Sequence, residues 1–235
     1  AIYGETLTAN VSDLNPADAI VKYQWYINDE KSTEGGEAIV GETEKELSLN
    51  TSSFGKYVYV VITVEADNYE TKVIPSNVTE TKVAARKITV TAGTESKVYD
   101  KTPLTNNTFK ASEKLPYSHE LRVTMTAGST ITNAGSVANV IGEVKVVTES
   151  EIDVTEYYEI ETVAGTLTIT PATPELSGRD TSVKAGSEVT VTYTYTGDGK
   201  VTATSKDEEI ATIVNVDEEK KEITIKGEAT GTATI

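Results

Sequence analysis

The side chains able to do chemistry in this chain are few and scattered. Tyr99-Asp100 sets a phenol beside a carboxylate, the beginning of a cation or sugar site. The structural alternative is an Asx-type turn, in which Asp100 accepts N–H groups near Thr102, Tyr99 packs inward and Pro103 fixes the exit. We favour the turn. His119 is the only histidine. With no cysteine and no second histidine beside it, it makes a poor metal ligand or general base, and it reads as a solvated loop residue ahead of a strand over 121–125. Asp207-Glu208-Glu209 and Asp217-Glu218-Glu219 carry the hard oxygens that calcium takes. Neighbouring carboxylates on a strand point to opposite faces, however, and no Asp-x-Asp-x-Asp-Gly loop is present, so exposed turns account for them. Trp25, the only tryptophan, has the ring to stack on a sugar, but the alternating apolar residues around it place it in a core.

Further chemistries find no foothold. There is no Gly-x-Ser-x-Gly elbow, no phosphate-cradling glycine loop and no His-Glu-x-x-His. Paired carboxylates for glycoside hydrolysis need a cleft, which modules of this size seldom build. A Lys–Asn isopeptide bond with an acidic helper would suit a chain without cysteine, but nothing in the sequence singles out a triplet. Asn10, Asn50, Asn77 and Asn106 begin Asn-x-Ser/Thr sequons, read as chance in a threonine-rich chain. The expectation is no catalytic, cofactor-binding or metal-binding residue, no cofactor, and no enzyme.

The charge narrows the partners. The 235 residues carry 37 acidic and 21 basic side chains, a net charge of -16. Such a chain is repelled by nucleic acid and by anionic membranes, and no basic stripe offsets this. The acidity is read as solubility for a protein displayed at high density rather than as specific cation binding. No signal peptide, lipidation motif or apolar span of membrane length is present. The chain starts at Ala1 rather than Met and reads as a piece of a longer string of modules.

The elements that must position these residues are strands. Threonine (38) and valine (26) dominate, with 12 tyrosines, and such side chains suit a pleated, half-buried surface. No window of 12 or more residues shows a 3.6-residue apolar repeat, so the fold class is all-β. A strand over 22–28 puts Tyr23, Trp25 and Ile27 on one face; others follow at 56–64 and 87–93. Gly165-Thr166-Leu167-Thr168-Ile169-Thr170 aims Leu167 and Ile169 at a core, and Pro171 and Pro174 then stop the ladder and stiffen a joint. The strictest alternation lies at 189–196, with Val189, Val191, Tyr193 and Tyr195 on one side, followed by a Gly197-Asp198-Gly199-Lys200 hairpin turn and strands over 201–205 and 227–235. The joint at 82–86 has neither proline nor glycine, so the chain is expected to run nearly straight from one module into the next.

Three groups of motifs carry resemblances. Gly4-x-Thr6-Leu7-Thr8-Ala9, Gln24-Trp25-Tyr26, Ile39-Val40-Gly41-Glu42-Thr43 and Gly55-Lys56-Tyr57 resemble bacterial immunoglobulin-like repeats of secreted surface proteins, with Glu42 where relatives usually carry a small residue. Lys97-Val98-Tyr99-Asp100-Lys101-Thr102-Pro103-Leu104, with Ala134-Gly135-Ser136, Tyr157-Tyr158-Glu159-Ile160 and Gly165 to Ile169, resembles the MBG/YDG-type repeat of large bacterial extracellular proteins. Lys101 stands where that family prefers glycine, and lysine is strained there if the turn needs φ > 0. Ser205-x-Asp207-x-x-Ile210-Ala211-Thr212-Ile213, with Gly227-x-Ala229-x-Gly231-Thr232-Ala233-Thr234-Ile235, is similar to the bacterial immunoglobulin-like group 2 domain. Ala203 replaces a frequent tryptophan, leaving Tyr193 or Tyr195 to fill the core.

The expected architecture is therefore three tandem small β-sandwich (immunoglobulin-like) modules in an extended rod, at 1–85, 86–170 and 171–235. Each is expected to seal its own interior, leaving no shared core and no reactive hollow. The resemblances imply a non-catalytic structural or adhesive stalk segment of a bacterial cell-surface or secreted protein, extracellular and monomeric, spacing or presenting a functional head. Its partner would be a host or environmental glycan or protein, with no nucleic acid and no membrane insertion. The alternative is an accessory carbohydrate-binding segment of a secreted polysaccharide-degrading enzyme, with exposed tyrosines stacking on sugars.

Overall fold

A computed structural model describes every residue except Asp13, Asn15 and Asp198. It is all-β, built from several small sheets with two short 3-10 turns. No helix among the described residues is long and apolar enough to cross a membrane. The chain divides into two compact units, Ala1–Ser96 with Pro103–Thr168, and Lys97–Thr102 with Ile169–Ile235.

In the first unit, a four-stranded antiparallel sheet runs in the order Glu37–Ala38, Ile20–Asn28, Tyr57–Glu65, Lys72–Pro75. Its register sets Trp25 opposite Val60 and Ile27 opposite Val58, so one pleat face is apolar along both long strands. Leu47, from the pair Thr6–Thr8 and Glu46–Ser48, joins Leu49, Trp25, Val58 and Val60 in the core as a second layer. The same unit contains a three-stranded sheet in the order Tyr158–Val163, Arg86–Ala92, Phe109–Ala111. Its first pair is parallel, with Ile160 opposite Ile88, and its second antiparallel. A parallel pair needs a long crossover between its strands, here residues 93–157. The antiparallel pair Glu120–Met125 and Ile141–Val147 sits within that crossover, with a bulge at Thr124/Met125. Gly165–Thr170 lies between Gly135–Asn139 and Glu95–Val98, and Leu167 is fully buried, as the alternation requires.

Residues 1–85 and 86–168 do not form separate sealed beads, which corrects the sequence expectation. One continuous cluster of buried side chains runs from Leu47, Leu49 and Val83 through Tyr3 to Ile88, Leu115 and Tyr158. Tyr3 is its hinge-pin: its ring stacks on Tyr157 (centroids 4.9 Å, 13°) and meets Tyr117, Tyr158 and Phe54 edge-on. The backbone is fixed at the same place. Val83 and Ala84 bridge to Phe54 and Ile2 in parallel, and Tyr3 N–H donates to Ala84 O at 2.9 Å, so the chain enters Arg86–Ala92 already paired. Gly4 makes the close approach possible: its φ is +80°, and a Cβ there would lie 2.7 Å from Pro116 Cβ. The sequence missed the shared core because its partners lie more than a hundred residues apart in the chain.

In the second unit, Glu188–Thr192, Glu222–Gly227 and Ala211–Asp217 form an antiparallel sheet with Glu222–Gly227 central. The strand expected over 189–196 is broken: Glu188–Thr192 pairs with Glu222–Gly227, while Thr194–Tyr195 pairs with Leu176–Ser177. The break falls at Tyr193, which is buried and whose N–H donates to Lys221 O at 2.9 Å. Tyr193 is thus the aromatic that fills this core, and the chain changes sheets there. Residues 201–205 and 231–235, expected as strands, carry no ladder; Lys206 N–H donating to Thr234 O is the contact that ties the two stretches. Val201, Ala203, Ser205 and Ala233 are half-buried and the other residues of the two stretches exposed, so little apolar area is gained by pairing them.

Candidate functional site

Tyr99-Asp100 forms the Asx turn. Asp100 Oδ1 accepts from Thr102 N–H at 2.9 Å, from Thr102 Oγ1 at 2.7 Å and from Lys97 Nζ at 2.7 Å. The Lys97 bond, then those from the Thr102 hydroxyl and N–H, hold the carboxyl well below the usual carboxylate range, so it is ionised. Lys101 sits at φ +71°, the left-handed conformation that glycine adopts without cost. The turn is anchored within its unit by Tyr99 N–H donating to Thr170 O and by Thr170 Oγ1 donating to Lys97 O.

Beside this turn lies a hollow of about 480 Å³, lined by Tyr99, Asp100, Lys101, Pro174, Tyr195 and Gly197 among others. The sequence expectation was of no reactive hollow, and it did not anticipate this one. Pro174 and Tyr195 had no sequence signal as partners of Tyr99, because the second stretch lies some 75 or more positions further on. Tyr195 was a candidate core filler; it is half-buried and forms part of this wall instead. Asp198 of the expected hairpin turn lies outside the described residues.

His119 is not a solvated loop residue. The turn Pro116–Ser118, with Tyr117 and Ser118 both at φ 56°, folds it against Tyr3 (centroids 6.3 Å, 23°). Its Nδ1 lies 2.8 Å from the Tyr158 hydroxyl, and burial lowers its pKa. Burial likewise raises the Tyr158 phenol and pushes Tyr3 up to about 12, with smaller contributions to Tyr3 from Tyr117 and Tyr157. Tyr117 donates its hydroxyl to Leu49 O at 2.9 Å, and Arg86 donates Nε to Tyr3 O at 3.0 Å and Nη1 to Glu113 at 2.9 Å. The group is a polar-edged aromatic clasp rather than a cleft.

Trp25 is 3 % exposed and donates Nε1 to Glu44 O, so it fills the core as the alternation implied. The acidic triplets lie in turns: Asp207 O accepts from Ile210 and Ala211 N–H, and Asp217 accepts from Lys220 N–H. Among the described residues no group of three or more His, Asp or Glu converges as cation ligands would. Two sequon asparagines serve as turn acceptors, Asn50 for Ser52 N–H and Asn106 for Thr108 N–H and Oγ1. Among the described residues the buried polar side chains are Ser53, Ser129 and Asn139, and Asn139 Nδ2 donates to Gly93 O and Asn106 O. A second hollow of about 360 Å³ lies in the first unit, walled by Ile141, Val144, Tyr158 and Ile160 together with Thr155 and Thr162.

Neither the models of known protein families nor the curated proteins yield a match to this chain.

Proposed function

We propose that this chain is a non-catalytic structural or adhesive stalk segment of a bacterial cell-surface or secreted protein, built as tandem immunoglobulin-like and MBG/YDG-type modules that hold a functional head away from its anchor. The observation that supports the reading most is the buried clasp around Tyr3. A spacer transmits position only if its joints resist bending, and a joint closed by stacked rings, a paired backbone and an Arg86–Glu113 bridge resists bending in a way that a bare linker does not. The acidic surface fits display at high density. The single histidine packs in the clasp, with its Nδ1 2.8 Å from the Tyr158 hydroxyl and its ring against Tyr3.

The experiment is one of orientation in solution. Residual dipolar couplings measured on the 235-residue protein should fit one alignment tensor for the sheet amides of 20–65 and 86–163. Two independent tensors would mean that the joint bends freely, and the stalk reading would lose its support.

A further inference from the structure

We propose that the hollow bounded by Tyr99, Asp100, Lys101, Pro174 and Tyr195 is a binding site for a neutral saccharide. Its volume of about 480 Å³ is within the roughly 300–1,000 Å³ of small-molecule sites and suits a mono- or disaccharide. Its walls have the two faces that a pyranose needs. The half-buried rings of Tyr99 and Tyr195 and the edge of Pro174 supply flat apolar area for the sugar's C–H face. Asp100 and Lys101 supply an acceptor and a donor for its hydroxyls.

The polar wall is set before any ligand arrives. Three donors converge on Asp100 Oδ1 and fix the carboxylate's rotamer. Lys101, one of the residues lining the hollow, keeps a left-handed backbone that glycine would adopt without strain. Opposite them, Gly197 makes room: a Cβ there would lie 2.9 Å from Pro174 Cβ and would collide with the Tyr195 ring.

The charge selects the ligand class. Among the described lining residues Asp100 and Lys101 bring both signs to one hollow, which favours an uncharged polyol over a lone cation or anion. A nucleotide would stack on the same rings, but its phosphates are disfavoured by a chain of net charge -16.

The test is a titration of the 235-residue protein, followed by amide proton–nitrogen spectra, with methyl β-glucopyranoside, methyl α-mannopyranoside, lactose, cellobiose and xylobiose. At least one should give saturable shifts at Tyr99 to Thr102, Thr173, Tyr195, Thr196, Gly197 and Gly199. Tyr195→Ala should weaken that binding by about tenfold or more, Tyr195→Phe should stay within about threefold, and Tyr69→Ala, at an exposed tyrosine of the other unit, should leave it unchanged. If Tyr195→Ala loses its dispersed spectrum, Asp100→Asn, which retains an acceptor for the turn, reads the same site and should weaken binding about threefold or more. No saturable shift with any of the five sugars at about 50 mM, shifts mapping elsewhere, a loss in Tyr69→Ala equal to that in Tyr195→Ala, or binding of digalacturonate alone would each overturn the proposal.

Discussion

Residues Ala1–Ser96 with Pro103–Thr168 and residues Ile169–Ile235 use the same alphabet of valine, threonine and tyrosine to different effect. The first group buries Trp25, Leu47, Leu49, Val58, Val90 and Val146 at 3 % exposure or less. Among the described hydrophobic residues of Ile169–Ile235 only Ile169 is as deeply buried; Tyr193, Ile225 and Ala211 stay at 6–9 %. Yet the second group contains the strictest alternation in the chain, residues 189–196, whose Val189 and Val191 remain half-buried. Alternation assigns a face to each side chain, but burial depends on what that face meets. In the first unit it meets a second layer and, through Tyr3, the neighbouring sheets.

That contrast is open to measurement. The largest effect belongs to Tyr3→Ala. Removing a fully buried aromatic with five stacked or edge-on ring partners should cost about 3–5 kcal/mol in urea unfolding. The readout is Trp25 fluorescence, which reports the first unit alone because no other tryptophan exists. A cost below about 1 kcal/mol would remove the clasp from the account.

Next in size is a matched pair. Leu49→Ala, at 0 % exposure, should cost about 3 kcal/mol or more, whereas Ile225→Ala, at 7 %, should cost nearer 2 kcal/mol. In the unaltered protein, amides of Glu222–Gly227 should exchange with solvent faster than those of Tyr57–Glu65 by about tenfold or more, because local stability follows buried contact. Equal protection would erase the difference between the two regions.

A smaller effect sharpens the comparison at the Asx turn. Lys101→Gly should stabilise the protein by up to about 1 kcal/mol, since a left-handed lysine costs about 1–2 kcal/mol and glycine returns part of that as chain entropy. A thermal melt that shifts downward would show that the lysine side chain contributes more than its backbone costs.

The last effect is the dependence on pH. Burial lowers the His119 pKa, so the unfolded chain binds its proton more readily. Stability from this group is present above the ordinary histidine pKa near 6.5 and is lost as pH falls below it toward the folded value. His119→Gln should therefore flatten the melting temperature of the first unit between neutral and mildly acid pH; an unchanged slope would place His119 outside the clasp's energetics.

Little of the candidate site could be read from residue types. The Asx turn was legible because Asp100, Thr102 and Pro103 specify it within four residues. The hollow beside it was not, since Pro174 and Tyr195 reach Tyr99 only through folding. His119 shows the same limit from the other side: its neighbours in sequence are polar loop residues, while its neighbours in space are Tyr3 and Tyr158.

The sequence by itself determined the all-β class, the strands expected over 22–28, 56–64, 87–93 and 165–170, which the structure sets at Ile20–Asn28, Tyr57–Glu65, Arg86–Ala92 and Gly165–Thr170, and the burial of Trp25, Leu167 and Ile169. These follow from local sterics and a two-residue period, which need no knowledge of distant chain. Only the tertiary structure decided that residues 1–85 and 86–168 share a core, that Arg86–Ala92 pairs in parallel with Tyr158–Val163, and that the strand at 188–195 changes sheets at Tyr193. Each of these depends on which apolar face meets which, and that choice is settled by packing between segments far apart in sequence, not by the pattern within either one.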